Sequence, residues 1–431
     1  MENKDICVMG LGYIGLPTAA MFAKNGHKVL GVDVKQEAVD LLNKGEIHIE
    51  EVGLGEMVKE VVSIDNLVAA TKPSFAETFI IAVPTPFNDD YSANLDYVVS
   101  ATKSIIPYTK KGNVVIVEST IPPRTIDDVI VPLFEEKGLE VGKDVYLAHC
   151  PERVLPGRIL TELVENTRIV GGYNEISASK AADVYRTFVT GDILETTAIS
   201  AEMSKLLENT YRDVNIALAN ELAKVSEKIG VNALEVIELA NHHPRVNLHQ
   251  PGPGVGGHCL AVDPYFIIEK APEETKLISN ARKINNSMPS FVVEQVEKLL
   301  GDREAKLTVL GLSYKGNIDD VRESPAMEIV NLLQEKKYNL SFYDPHVKQA
   351  QVKIPLAGTL EDAISEADCV LVLTDHDEFK SLKEEKLKSH LKKNCVVLDT
   401  RNCLNISVSD IKYYNYSNLY QLNRENKVLV P

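Results

Sequence analysis

The chain has 431 residues, more than a single hydrophobic core ordinarily organises, so two or three cores are expected. Its 44 % hydrophobic and 25 % charged content is ordinary for a globular protein. A net charge of −16 argues against nucleic acid or an anionic membrane surface as partner, so any phosphate-bearing ligand needs local compensation from helix N-termini and placed Arg or Lys residues.

The six cysteines contain no CxxC pair, which indicates neither a disulfide framework nor a zinc site. Cys7, Cys369 and Cys395 fall in apolar, strand-like runs and read as small core residues. No signal-like leader or uninterrupted membrane-length segment is visible, and a reducing cytoplasm is the expected compartment.

Taken in order, Ile6–Met9 predicts a strand that runs into Gly10, Leu11, Gly12, Tyr13, Ile14 and Gly15. A helix over Leu16–Asn25 and a strand over Lys28–Val32 follow, and the strand ends in Asp33. Strand, GxGxxG, helix, strand and acid together form a dinucleotide-binding fingerprint. The first glycine permits the tight turn, the second admits a pyrophosphate, and the third lets helix pack on strand. Asp33 is suited to ribose hydroxyls and repels a 2′-phosphate, so NAD is expected rather than NADP. Strands over Thr78–Val83 and Val114–Glu118 have tips at Pro84-Thr85-Pro86 and Ser119-Thr120-Ile121-Pro122, which should line the cofactor crevice. Tyr146–His149 opens onto Cys150-Pro151-Glu152-Arg153. Arg168–Val170 leads to a helix around Ser177–Phe188, and residues 1–195 form the expected NAD-binding domain.

Ser200–Ile229 lacks proline and glycine, and its apolar residues recur at three-to-four spacing from Met203 to Val225. This predicts a long amphipathic helix with Ser200 as N-cap, a spine whose stripe could meet a partner subunit. Lys205 and Asn209 share one face of it. A helix over Ala233–Ala240 precedes Asn241–Gln250, where three histidines and Arg245 crowd together without acidic partners at ligand spacing. Polar substrate contacts are favoured there over a metal. Pro251–Pro264 then reads PGPGVGGHCLAVDP, a loop dense enough in glycine to be shaped around a ligand, with Cys259 and Asp263 one helical turn apart. A thiol attacks as thiolate, and adjacent backbone N–H groups could favour that form and stabilise an oxyanion. Glu274–Leu300 reads as one more helix, closing a central region over 196–300.

From 301 to 431 the alternation of strands and helices restarts, with strands at Leu307–Leu310, Leu340–Tyr343, Cys369–Leu373 and Val396–Leu398 and a helix from Ser324-Pro325. The fold class is therefore α/β: two doubly wound Rossmann-like domains joined by a long central helix. The second domain has no GxGxxG, and Lys315, Arg322 and Arg401 at its tips suit a different phosphate ligand.

These parts together resemble the UDP-glucose/GDP-mannose dehydrogenase family nearly end to end. The resemblance is carried by GLGYIG at 10–15, EST at 118–120, Pro151-Glu152-Arg153, the Glu202, Lys205 and Asn209 spacing, PGPGVGGHCLAVDP, and YKGNIDDVRESP at 314–325. It implies oxidation of a sugar C6 hydroxyl to a carboxylate with two successive NAD molecules. Cys259 would be the nucleophile, Lys205 and Asn209 would stabilise the oxyanion, and Asp263, Thr120 and Glu152 would handle water and the thioester step. The cofactor would meet Gly10, Gly12, Tyr13, Ile14, Gly15, Asp33, Pro84, Thr85 and Thr120, with Arg322 crossing to a neighbouring subunit's site. The UDP-sugar would meet Glu152, Arg153, Val154, Lys205, Asn209, Arg212, His242, Arg245, His249, Gly252, Gly256, Tyr314 and Lys315. Glucose-type members usually read GFGGSC followed by Lys-Asp, whereas this chain has GVGGHC followed by Val262-Asp263-Pro264. It is most similar to the branch acting on 2-acetamido sugars, with UDP-N-acetyl-D-mannosamine the first expected substrate and UDP-N-acetyl-D-glucosamine the second. No metal, nucleic acid or membrane partner is expected, and a homodimer or homotetramer is. A reading from another class is a catalytically silent NAD-binding scaffold, which the joint presence of Cys259, Lys205, Asn209 and Asp263 disfavours.

Overall fold

The computed structural model describes residues 4–155, 157–301, 303–406 and 411–422. It divides into two compact units, one comprising the chain up to Glu208 with Tyr265–Ala271, the other Asn209–Pro264 with the chain from Pro272 onward.

The first unit is built on eight strands: β1 (Lys4–Met9), β2 (Val29–Val32), β3 (Leu67–Ala70), β4 (Ala76–Ile81), β5 (Val114–Val117), β6 (Tyr146–His149), β7 (Arg168–Gly172) and β8 (Ile193–Thr197). Their order is β3-β2-β1-β4-β5-β6-β7-β8, parallel throughout except between β6 and β7. Side chains alternate along β1, so Ile6 and Val8 enter the core on one face with Phe22 and Tyr185, while Cys7 and Met9 join Phe79 and Phe134 on the other. Because both faces are covered, these strands read as continuous apolar runs. The strand order reverses between β1 and β4, and such a switch point opens a crevice at the carboxyl ends of the strands.

The second unit carries five parallel strands, β9 (Lys306–Leu310), β10 (Asn339–Tyr343), β11 (Cys369–Val372), β12 (Val396–Asp399) and β13 (Lys412–Tyr414), in the order β10-β9-β11-β12-β13. That is the other common doubly wound order, and its switch point lies between β9 and β11.

The long helix spans Ala198–Ile229, 32 residues, so it starts two residues before the expected cap. Ser200 lies inside it, and the Thr197 hydroxyl accepts from the Ser200 N–H at 3.3 Å, doing the capping instead. Glu274–Leu300 is two helices, Lys276–Asn286 and Met288–Leu299. Pro289 explains the break: it offers no N–H and its ring collides with the carbonyl four residues back, so a new helix starts around it. Among the described residues no helix is long and apolar enough to cross a membrane.

Candidate active site

In the first unit the loop after β1 is shaped by what would touch a side chain. Gly10 holds φ at 94°, and a Cβ there would lie 2.6 Å from the Ala82 carbonyl oxygen. One at Gly15 would collide with the Gly10 carbonyl, whereas at Gly12 nothing lies within 4 Å. The outer glycines thus close the turn and the middle one leaves it open to a ligand. Asp33, at the tip of β2, accepts from the Leu11 N–H at 3.0 Å and the Lys35 N–H at 2.9 Å, so its carboxylate also fixes the loop. Tyr13 is exposed, Ile14 and Thr120 are half-buried, and Pro84 is exposed. The Thr85 hydroxyl oxygen is buried and has no hydrogen-bond partner among the described residues. An open Gly12, a fixed carboxylate on the neighbouring strand and the start of helix Gly15–Lys24 fit a dinucleotide.

Glu152 lies over a buried polar cluster of the same unit. Its Oε1 accepts from the Arg153 N–H at 2.7 Å and its Oε2 pairs with Arg168 at 3.1 Å. Arg168 also approaches Glu118 at 3.9 Å and the Cys150 sulfur at 3.5 Å. Tyr185 donates to Glu118 at 2.6 Å. Burial pushes the Glu118 carboxyl up to about 7, with Arg168 opposing. The sequence offers one sign of this cluster, an arginine opening the otherwise apolar run of β7, but no spacing that joins it to Glu118 and Glu152. Arg153 does not stand free: it pairs with Glu208 at 2.7 Å and donates to the Thr167 carbonyl. Val154 is half-buried against the apolar core. Lys205 is only 8 % exposed, one turn before Asn209 on the long helix.

In the second unit the glycine-rich loop is held at several points. The Gly252 N–H donates to Asn220 Oδ1 at 2.9 Å. A side chain at Gly256 would collide with the Glu323 carbonyl and Pro325, and one at Gly257 would lie 2.7 Å from the Tyr314 ring. Past the loop, the Cys259 carbonyl accepts from the Asp263 N–H at 2.9 Å, giving the helical turn that the spacing implied. Asp263 is buried and accepts from Asn209 Nδ2 at 2.6 Å, while Cys259 and its neighbour His258 are exposed. Burial pushes the thiols of Cys7, Cys150, Cys369, Cys395 and Cys403 upward, which keeps them protonated. Cys259 is the one exposed cysteine of the six.

A cavity of about 600 Å³ in this unit is lined by Leu234, Glu238, Asn241, His242, Gln250, Pro251, Arg401 and Asn402. Arg401, just past β12, is aimed by Asp375 at 2.7 Å. Of the residues expected at the substrate, His242 lines this cavity, Arg212, Arg245 and Lys315 are exposed, and His249 is half-buried. Arg322 is exposed and gripped by Asp320 at 2.6 Å, in the second unit.

Three family models match in sequence: the NAD-binding domain of the UDP-glucose/GDP-mannose dehydrogenase family over residues 4–189, its central domain over 199–287 and its UDP-binding domain over 308–406. A UDP-N-acetyl-D-mannosamine dehydrogenase of Methanococcus vannielii is 49 % identical over 414 residues, covering 93 % of each chain. An NDP-N-acetyl-D-galactosaminuronic acid dehydrogenase of Ralstonia solanacearum is 45 % identical over 93 % of this chain and 96 % of its own. The solved UDP-N-acetyl-mannosamine dehydrogenase of Staphylococcus aureus superposes with a TM-score of 0.89 at 52 % identity, covering 97 % of this chain and all of that one. With the glycine turn, the exposed thiol and these matches in hand, the chain belongs to the UDP-glucose/GDP-mannose dehydrogenase family and is an NAD-dependent UDP-sugar dehydrogenase.

Proposed function

We propose that the protein oxidises the C6 hydroxyl of UDP-N-acetyl-D-mannosamine to the uronic acid through a covalent intermediate on Cys259. The observation that carries the mechanism is the pairing of the one exposed thiol with a buried Asp263 a single turn away, itself bonded to Asn209. NAD, held by Gly10, Gly12, Gly15 and Asp33, supplies the hydride acceptor for each of two successive two-electron oxidations. After the first oxidation the Cys259 sulfur adds to the aldehyde carbon, and the oxygen becomes the alkoxide of a thiohemiacetal. Lys205 and Asn209 donate to that oxygen. The second oxidation leaves a thioester, and water then breaks the C–S bond, giving the carboxylate and regenerating the thiol. Asp263 accepts the proton of the attacking water, and Glu152 and Thr120 hold that water. Arg168, paired with Glu152, fixes its carboxylate.

The phosphates and uridine are assigned to the second unit, to Lys315 and to the cavity that His242 and Arg401 line. Arg245, His249 and Arg212 remain assigned to the same substrate, and Arg322 to a nicotinamide nucleotide bound by a neighbouring subunit. The 2-acetamido preference is supported by the relatives, named for N-acetylmannosamine and N-acetylgalactosaminuronic acid. The second name favours one alternative, a UDP-N-acetylgalactosamine-type substrate. The test is a panel of UDP-N-acetylmannosamine, UDP-N-acetylglucosamine, UDP-N-acetylgalactosamine and UDP-glucose, read as NADH formed and as product mass. Two NADH per uronic acid from the manno sugar is expected; turnover of UDP-glucose alone overturns the assignment. We also propose a homodimer, in which the exposed stripe of the long helix is covered by a second copy.

A further inference from the structure

The second unit repeats the opening of the first. Gly10-Leu11-Gly12-Tyr13-Ile14-Gly15 and Gly311-Leu312-Ser313-Tyr314-Lys315-Gly316 each follow the first strand of their sheet. Gly10 and Gly311 hold φ at 94° and 87°. Leu11 N–H donates to Asp33 at 3.0 Å, and Leu312 N–H donates to Asp344 at 2.7 Å, each carboxylate ending the adjacent strand. The other oxygen of each accepts from backbone two residues on, Lys35 at 2.9 Å and His346 at 2.8 Å. One feature differs. Asp33 stays half-exposed, whereas Asp344 is buried and sealed by the fully buried His376, whose Nε2 lies 3.1 Å away.

The protons of His376 follow from its neighbours. Its Nδ1 faces the Asn317 N–H at 2.9 Å, and a backbone N–H only donates, so Nδ1 accepts and the ring proton sits on Nε2, toward Asp344. His346, His376 and Glu378 bring three ligand atoms within 4.8 Å, yet His376 has no lone pair left for an ion. What the ring does instead is hold a loop. Asn317 sits at φ 63° and its Oδ1 accepts from the Asp377 N–H at 2.9 Å. Thr374 donates to the Ser313 carbonyl at 2.7 Å, and a Cβ at Gly316 would lie 2.5 Å from the Asp375 carbonyl oxygen. The loop so held carries Tyr314, whose Cβ lies against Gly256 and whose ring lies against Gly257, two residues before Cys259.

We propose that His376 is a positioning residue: bridging Asp344 and the Asn317 N–H, it converts a nucleotide-type turn into a rigid platform that sets Tyr314 beneath the glycine loop and Lys315 toward the UDP-sugar. This rests on the reading of Tyr314 and Lys315 as substrate contacts. Two variants separate the two sides of the ring. In His376→Gln the amide nitrogen reaches the Nε2 position and keeps the donor to Asp344, but the acceptor for Asn317 is lost. In His376→Asn the carbonyl oxygen reaches the Nδ1 position, so that acceptor is kept and the donor is lost.

The readouts are UDP affinity by calorimetry, kcat, KM for UDP-N-acetyl-D-mannosamine and for NAD, and thermal melting. His376→Gln is expected to weaken UDP binding and raise the sugar-nucleotide KM about tenfold, the worth of one hydrogen bond, with the NAD KM unchanged and melting lowered no more than in His376→Asn. His376→Asn is expected to keep both within about twofold while melting earlier. Unchanged UDP affinity in His376→Gln, or losses in both variants that track melting alone, overturns the proposal. Lys315→Ala distinguishes the underlying reading. If it leaves UDP affinity intact, the substrate assignment of Lys315 fails and His376 acts through Tyr314 only. If it weakens UDP binding while His376→Gln does not, the assignment stands and His376 has no positioning role.

Discussion

Cys259 and Asp33 show how a single residue's surroundings decide its chemistry. Cys259 is exposed among five thiols that burial keeps protonated, so Cys259→Ala is expected to cost at least about 10³-fold in full oxidation. Asp263→Asn, which keeps the bond to Asn209 but not the base, should let the sugar accumulate on the protein. Intact-protein mass spectrometry after incubation with substrate and NAD should find that mass on Cys259; four-electron turnover by Cys259→Ala contradicts the covalent route. Asp33 makes the cofactor prediction: its carboxylate should favour NAD over NADP by roughly a hundredfold, and Asp33→Ser should narrow that gap, measured as kcat/KM for each cofactor. Both residues were legible in the sequence because their context is local: GLGYIG lies between two strands, and GGHC lies next to a turn. Arg168 and Glu118 were not. Their partnership joins residues 50 positions apart through the sheet, and no short-range pattern records which buried acid an arginine will meet.

At the scale of elements, the periodicity located the long helix, and the structure divides its apolar residues between two sides. The buried face carries Leu206, Asn220 and four alanines, Ala201, Ala217, Ala219 and Ala223, whose small side chains let neighbours approach closely. Leu207, Tyr211, Leu218, Val225 and Ile229 recur at helical spacing on the other side and are 46 to 70 % exposed. A run of large apolar side chains left to solvent along one helix marks an association surface. Leu218→Glu combined with Val225→Glu is therefore expected to shift the protein toward monomer in light scattering at micromolar concentration, with the Asp33 turn still binding NAD. A double variant that stays dimeric removes this helix from the interface. Strands β3 and β8 escaped the sequence reading for related reasons. Leu-Val-Ala-Ala is too short and small to stand out, and Ile-Leu-Glu-Thr-Thr is a half-exposed edge whose polar residues hide its strand character.

For the whole molecule, the buried acids set how stability responds to pH. Glu202, on the long helix, accepts from the Arg124 N–H at 2.6 Å and the Ile126 N–H at 2.8 Å, yet burial outweighs these bonds and pushes its carboxyl up to about 7. Glu118 is raised to about 7 in the same way. A carboxyl raised on folding keeps its proton where the unfolded chain has lost it, so its stabilising contribution is full below the ordinary carboxylate value of about 4.5 and is lost as pH rises to about 7. Asp344 runs the other way. Burial alone would raise it, but hydrogen bonds from His376 and backbone N–H groups hold it down at about 2, so its contribution is present above about 3.8 and fails only in strong acid. Repulsion within a chain of net charge −16 adds to the loss on the alkaline side. His149, fully buried and pushed down to about 3, gains stability as pH rises through its ordinary value of about 6.5 and offsets part of this loss. The first melting transition should therefore fall by roughly 5 °C between pH 5 and pH 8. Glu202→Gln keeps an acceptor for one of the two N–H groups and cannot ionise, so its melting curve should be flatter across that interval. Wild type and variant falling in parallel would show that Glu202 titrates at its ordinary value, and that the slope comes from elsewhere.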